Sequence, residues 1–413
     1  MTEAHTPPTP SEAQALGSSV RLTIRLANLV RTARIYPDKH PALSFGVRVV
    51  TASITEVFHA LGETEIHFMG RRLNVNNHTI RPPKGMILAL TELAEFLGER
   101  NVGGLVIRDA TTSTDVAEAI SILFAEPGGG GPGPEVLNRR LTDAGIASFG
   151  FSGIRSPFAD IQKLNIDPVL GAVRLYIRGL TAMKHLQQQG GVPSVMLELN
   201  RISRGLIEFY EMSPEMALTM MLESEVATYS LRQPLHMAIL SIGLGHRLGV
   251  DGEALVHLSM AAMTADCGMR ELPDPSVNLR GEPSGNERAW YQTHPLLSVH
   301  HMMQAGRLHP GVRRRLLVAF EHHLGVDGTG FPNTVGAYEQ HPFSRFVRAA
   351  DGFCNLVAET PWQASMSPTD ALQTLRLESG TRYDRVIVDH LEGLLQEVLG
   401  IEDEERTDPK LSH

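Results

Sequence analysis

Cysteine is nearly missing from these 413 residues, with only Cys267 and Cys354 present. The two lie far apart and fit no zinc-ligand spacing, so they are expected as small buried residues in a reducing cytoplasm. There is also no run of 18 apolar residues, which excludes a membrane-spanning helix. A basic excess is absent too: 37 Lys and Arg against 46 Asp and Glu leave a net charge of −9, the wrong sign for a generic DNA binder. The opening MTEAHTPPTPSEAQ lacks the basic stretch and apolar block of a secretory signal. Residues 1–18 are expected as a disordered tail, and the charged EDEERTDPKLSH, within 401–413, as a solvated one. In such a compartment the Asn77-His78-Thr79 sequon carries no meaning.

What remains is a chain of globular composition, 42% hydrophobic and 20% charged, long enough for two domains. Residues 19–155 mix periods. RLTIRLANLVRTARI and PALSFGVRVVTASITEVFHALG repeat their apolar positions at helical spacing. TEIHFMG and RLNVNN alternate, which predicts a hairpin around Gly70. GLVIRD and IASFGFS complete the strand candidates of a small α+β module. Within it, EPGGGGPGP (126–134) lacks the lysine and the strand–helix context of a phosphate loop and is expected as a flexible loop. Residues 156–400 are helical in period throughout, predicting an all-α domain. Arg313-Arg314-Arg315 runs into apolar residues and reads as a solvated helix face.

The 18 histidines are the excess, and histidine is the commonest metal ligand. Four apolar segments of the helical part carry ligand-type residues: MTADCGM with Asp266, THPLL with His294, EHHLGVDGTGFP with His322 and His323, and RAADGF with Asp351. Such groups are costly to bury uncompensated, so each must be paired, ligated or exposed. Asp351 has Arg348 as an alternative partner. Together the five donors suggest a divalent metal site inside a bundle. Adjacent histidines diverge by roughly 100° on a helix, so both serve only if two ions lie side by side or the helix end bends.

These segments resemble the HD-GYP family, helical metal-dependent phosphohydrolases that open cyclic di-GMP. The resemblance covers roughly residues 220 to 400 and implies an all-α HD-GYP-like helical bundle behind the small α+β domain. YSLRQPLHMAILSIGLGHRLGV matches the family's first motif helix, ADCGM followed by ELP its His-Asp segment, and His294-Pro295 its His-Pro pair. EHHLGVDGTGFP matches the His-His and Gly-Tyr-Pro loop, SRFVRAADGFCNL the next helix, and MSPTDALQTL the segment after it. The resemblance implies metal ligands at Asp266, His294, His322, His323 and Asp351, with Asp266 the catalytic candidate. It implies a substrate-side loop of Asp327, Gly328, Gly330, Phe331 and Pro332. It also implies one or two Fe or Mn ions and a cyclic dinucleotide as ligand.

The departures fall on the same chemistry. Gln233 stands where the family has its first-helix histidine, Tyr229 a turn before it for a carboxylate, and Ala265 for the histidine of the His-Asp pair. Met269 replaces a lysine, Leu324 a glutamate and Phe331 the motif tyrosine. Ala has no donor and Met is a poor one for hard ions, so metal is expected weak or absent. Of nearby histidines, His236 lies about 60° round the helix from Gln233, while His257 and His301 fall out of phase or about 10 Å away. The expectation is a cytoplasmic signalling protein with a degraded metal site, acting by binding a signalling partner or a nucleotide. An active phosphohydrolase with a reduced site is the alternative. Gly328, Gly330 and Pro332 also suit a purely structural loop.

Overall fold

The computed structural model describes residues 10–36, 40–69, 72–76, 78–125, 133–158, 167–223, 228–272, 285–304, 310–334, 338–359 and 364–400. The chain divides into two compact units, Met1–Arg155 and Ser156–His413.

The first unit is α+β. Helices α1 (Pro10–Ile35) and α2 (Pro41–Leu61) pack on each other and precede strands β1 (Thr64–Met69), β2 (Arg72–Val75) and β3 (His78–Ile80). Then follow α3 (Ile87–Gly98), β4 (Val102–Ile107), α4 (Ser113–Ala125), α5 (Gly133–Asp143) and β5 (Phe149–Gly153). The sheet is antiparallel in the order β3-β2-β1-β4-β5. Its alternate residues Ile66, Phe68, Leu73, Val75, Leu105 and Ile107 are buried, as one apolar sheet face must be. An apolar cavity of about 20 Å³ between helices and sheet is too small to take a ligand.

One expectation for this unit needs correction: residues 10–18, expected as disordered tail, are the first part of α1, with Ser18 buried and hydrogen-bonded to Glu56 on α2. The hairpin predicted at Gly70 is β1–β2, although Gly70 itself lies outside the described residues. The Gly/Pro segment also lies outside them except for Gly133 and Pro134, which open α5, and so does 401–413.

The second unit is helical: α6 (Pro168–Gln189), α7 (Pro193–Met212), α8 (Pro214–Glu223), α9 (Tyr229–Arg247) and α10 (Gly252–Thr264), then α11 (Gly285–Tyr291), α12 (His294–Gln304), α13 (Pro310–Glu321), α14 (Pro342–Val357), α15 (Pro368–Leu377) and α16 (Arg385–Leu399). Proline opens six of these helices, where its missing N–H costs nothing and its φ is preset. Asp167, His341, Ser367 and Asp384 cap four of them through their side chains.

Helix α9 is the axis of this unit. From Pro234 to Gly245 nearly every residue is buried, and α6, α7, α10, α14 and α16 all pack on it. A helix apolar all round belongs in the centre of a bundle. Pro234 cannot donate to the Ser230 carbonyl, and Gln187 on α6 donates to that oxygen instead.

Candidate metal centre

Four donors meet where α10, α12 and α13 converge. Asp266 follows the end of α10, in a tight turn that continues as a 3₁₀ segment, Cys267–Glu271. This turn lies against α12: a Cβ on Gly268 would sit 2.4 Å from the His294 carbonyl oxygen and from the Ser298 nitrogen. The Gly268 N–H donates to Ser298 Oγ at 2.8 Å. Glycine is therefore what lets Asp266 approach the first residue of α12, His294.

His322 and His323 follow the last residue of α13. Because the helix stops at Glu321, the two rings escape helical divergence and lie 4.1 Å apart. The loop beyond is closed by the Leu324–Gly330 bridge. Gly330 has φ +98°, and a Cβ there would lie 2.2 Å from the His323 carbonyl oxygen. Asp327 is exposed and accepts from the Thr329 N–H and hydroxyl, so it stabilises its own turn. The same two hydrogen bonds hold its carboxyl below the usual range. Phe331 stacks on His323 with ring centroids 4.4 Å apart and precedes the cis Pro332.

The nitrogens are sorted by their partners. His294 Nδ1 donates to the Tyr291 carbonyl at 2.7 Å and His322 Nδ1 to the Ala319 carbonyl at 2.9 Å. Each Nε2 therefore turns a lone pair inward, as a backbone carbonyl does for a metal-binding histidine. These two nitrogens lie 3.3 Å apart and stand 3.0 and 3.2 Å from Asp266 Oδ1. His323 Nε2 lies 3.1 Å from His294 Nε2. Asp266, His294, His322 and His323 each offer a ligand atom within 4.8 Å of the others. Three acceptors converging in a buried place need a cation or a proton between them. Imidazole and carboxylate together suit a divalent first-row ion such as Fe or Mn, so the donor set fits a metal.

The charges agree. Burial opposes the Asp266 charge, but the adjacent His294 and His322 rings outweigh it and hold the carboxyl well below its usual range. For His322, burial favours the neutral ring, yet the Asp266 carboxylate raises its pKa above the ordinary value. A proton thus takes the cation's part when no ion is bound. Burial, with His322 and His294 adjacent, pushes His323 well down.

Asp351, the fifth expected donor, stands apart on α14. Its Oδ1 accepts from the Gln233 amide and from the Asn355 amide, each at 2.8 Å. The Gln233 amide also donates to Asn355 Oδ1 at 3.0 Å, and the Tyr229 hydroxyl donates to the same oxygen. Asp351 Oδ2 has no hydrogen bond and lies 3.8 Å from both His323 Nδ1 and Arg348 Nη1. Burial, then the Asp266 charge, raises Asp351 to about 6.

The other departures are packed into structure. Ala265 is fully buried, Leu324 forms the loop bridge, and Met269 lies in the 3₁₀ segment. His236 bonds the Tyr176 hydroxyl at 2.7 Å and does not join the four donors; burial drives its pKa to about 3. His301 pairs with Glu271 at 3.0 Å. Sequence reasoning missed Asn355, although its place four residues after Asp351 puts it on the same helix face. It also missed Glu321. This carboxylate is buried and accepts from the Tyr338 hydroxyl, the His341 N–H and the Ser344 hydroxyl at 2.6, 2.8 and 2.6 Å. It fastens the start of α14, and with it Arg348 and Asp351, to the residue before the histidine pair.

Comparison with known proteins bears on this helical unit. Residues 216–387 match the family model described as HD domain. This match shows an HD domain in that part of the chain. The matched segment runs from within α8 to the start of α16, with every donor above inside it. Over 148 residues the chain is 26% identical to the cyclic di-GMP phosphodiesterase response regulator RpfG of Xanthomonas campestris pv. campestris (strain 8004), covering 36% of this chain and 39% of that one. The chain therefore spans about two-fifths of the length of this curated relative. Among solved structures it is similar to Bd1817, an HDG"Y"P protein from Bdellovibrio bacteriovorus. The TM-score is 0.49 at 13% identity, covering 81% of this chain and 94% of that chain. No helix among the described residues is long and apolar enough to cross a membrane.

Proposed function

We propose that the HD domain belongs to a cytoplasmic bacterial signalling protein. In this reading it holds one iron or manganese ion in the cluster around Asp266, His294 and His322, and binds a cyclic dinucleotide without turning it over. The observation that carries the reading is the environment of Asp351. Two ions side by side are the arrangement that attacks phosphate esters. One oxygen of the carboxylate that a second ion would need, Asp351 Oδ1, is instead taken by the Gln233 and Asn355 amides. Bound at the remaining donors, a divalent ion supplies a Lewis acid for a phosphate oxygen. Asp266, whose side chain is 17% exposed while His294 and His322 are fully buried, marks the side open to a ligand. The relation to a cyclic di-GMP phosphodiesterase makes cyclic di-GMP the dinucleotide to try first. A protein partner would read the bound state, with the N-terminal unit as a second interaction surface.

The test is calorimetry with cyclic di-GMP on protein purified anaerobically, with metal analysis and chromatography for the linear product. We expect about one ion per chain, binding that disappears with chelator, and no product. Metal-loaded protein that binds no cyclic di-GMP sinks the reading. A second reading, a slow phosphohydrolase, rests on the intact His294–His322–Asp266 set. Product formation that is lost on changing His322 and His323 together to Ala would establish it.

A further inference from the structure

We infer that Arg348 withholds His323 from the metal, leaving Asp266, His294 and His322 to hold the ion. The inference rests on the one-ion reading above and specifies its ligand set. Arg348 is buried on α14, with its guanidinium over the Tyr383 ring at 5.2 Å. Its Nη1 lies 3.2 Å from His323 Nδ1. A guanidinium has donors and no acceptor, so His323 Nδ1 must be the acceptor. The neutral ring then carries its proton on Nε2, 3.1 Å from His294 Nε2, and has no lone pair there to give a metal.

His294 and His322 have carbonyl oxygens at the same ring position and so hold the opposite tautomer. Three histidines alike in sequence are thus sorted into two that present an inward lone pair and one that presents an N–H. For His323 to ligate through Nε2, its proton would have to move to Nδ1. That would set N–H against N–H in a buried place, where an unmatched donor is costly. Phe331, stacked on the ring, holds its plane. Arg348 is therefore a positioning residue that acts on the ligand set through His323.

A mutant cycle on the full chain tests this, with Mn²⁺ affinity of chelator-stripped protein as the readout. Arg348→Met keeps the buried stem and removes the donors. It should tighten Mn²⁺ binding by roughly tenfold or more, the scale on which partners behind metal ligands act. His323→Ala alone should leave affinity nearly unchanged, and the double variant should lose the gain. The inference falls if His323→Ala alone weakens binding about tenfold, on that same scale. It also falls if Arg348→Met gives no gain, or if the gain survives without His323, which would reveal simple charge removal. Should Arg348→Met not fold, His323→Ala alone decides. If the unaltered protein binds no Mn²⁺ but Arg348→Met does so through His323, the one-ion reading and its three-residue ligand set fail, and only the withholding of His323 by Arg348 stands. If neither binds, both fail.

Discussion

The buried polar centre of the HD domain has two halves that differ in how their hydrogen bonds balance. Around Asp266, His294 Nε2 and His322 Nε2 meet a carboxylate oxygen with no donor among the three unless a proton is added. Around Asp351, the Gln233, Asn355 and Tyr229 donors meet the carboxylate and amide oxygens. An excess of acceptors leaves room for a cation, whereas a nearly matched set is a cross-link between α9 and α14. Both halves are built from residue types that suit metals. The balance of donors and acceptors separates them, and composition does not.

The sharpest way to break the comparison is to remove an acceptor from the first half. Asp266→Ala should reduce metal affinity to below detection, since only two imidazoles of the convergent set would remain. Thermal melts would report it: a bound ion at 100 times its Kd adds about 2.7 kcal/mol to stability, and that increment should vanish in the variant. If metal still shifted the melting temperature of Asp266→Ala as in the parent, the assignment of the first half would be wrong.

Much of this was legible in the residues, for physical reasons that also mark the limits. The helices of the second unit announce themselves by period and by proline at their first turns, and the β1–β2 hairpin by alternation. Strand β3 has three residues, none of them buried, and carries no period at all. The start of α1 reads as a tail because PSEAQALGS has too few apolar residues to show which face it packs. In the site, each of the four converging donors could be named from its segment. That they share one point could not be seen, because on a continuing helix His322 and His323 would diverge; the stop at Glu321 removes that obstacle. Arg348 could be named as a neighbour of Asp351 along the helix. Its closer contact, His323, comes from another helix, which no local pattern encodes.

In the second half, Gln233→Ala removes two donated hydrogen bonds, to Asp351 and to Asn355, and leaves the Asp351 carboxylate one partner poorer. It should cost about 2 kcal/mol in urea unfolding, about 1 kcal/mol for each of the two hydrogen bonds lost. Metal affinity should hardly move. A large loss of affinity with little loss of stability would mean that the two halves are one site.

The halves should also separate in pH. A metal must displace the proton from His322, whose pKa lies above 6.5 because of Asp266. Affinity for Mn²⁺ should therefore already be falling as pH drops toward 6.5, by about tenfold per unit once that proton is bound. Without metal, the stabilisation from protonated His322 is fully present below the unfolded value and is lost as pH rises through the raised folded one. Asp351 is raised as well, to about 6 from 3.8, so the folded state binds the extra proton between those values. Metal-free stability should lose the Asp351 contribution as pH climbs from about 4 to about 6, before it loses that of His322. Unfolding free energies across pH 4 to 8 would show two successive declines if the halves titrate separately.

The smallest effect tests how nearly matched the second half is. Tyr229 sits where the family resemblance places a carboxylate, yet here its hydroxyl donates to Asn355 Oδ1. That oxygen also accepts from Gln233, so Tyr229→Phe removes one donor without orphaning an acceptor. The ring keeps its packing, and only the hydrogen bond is lost. The cost should be about 1 kcal/mol, the net worth of one such bond. It should be smaller than that of Gln233→Ala, and metal affinity should stay the same. A loss well above that of Gln233→Ala would mean that Tyr229, rather than the amide pair, holds α9 against α14.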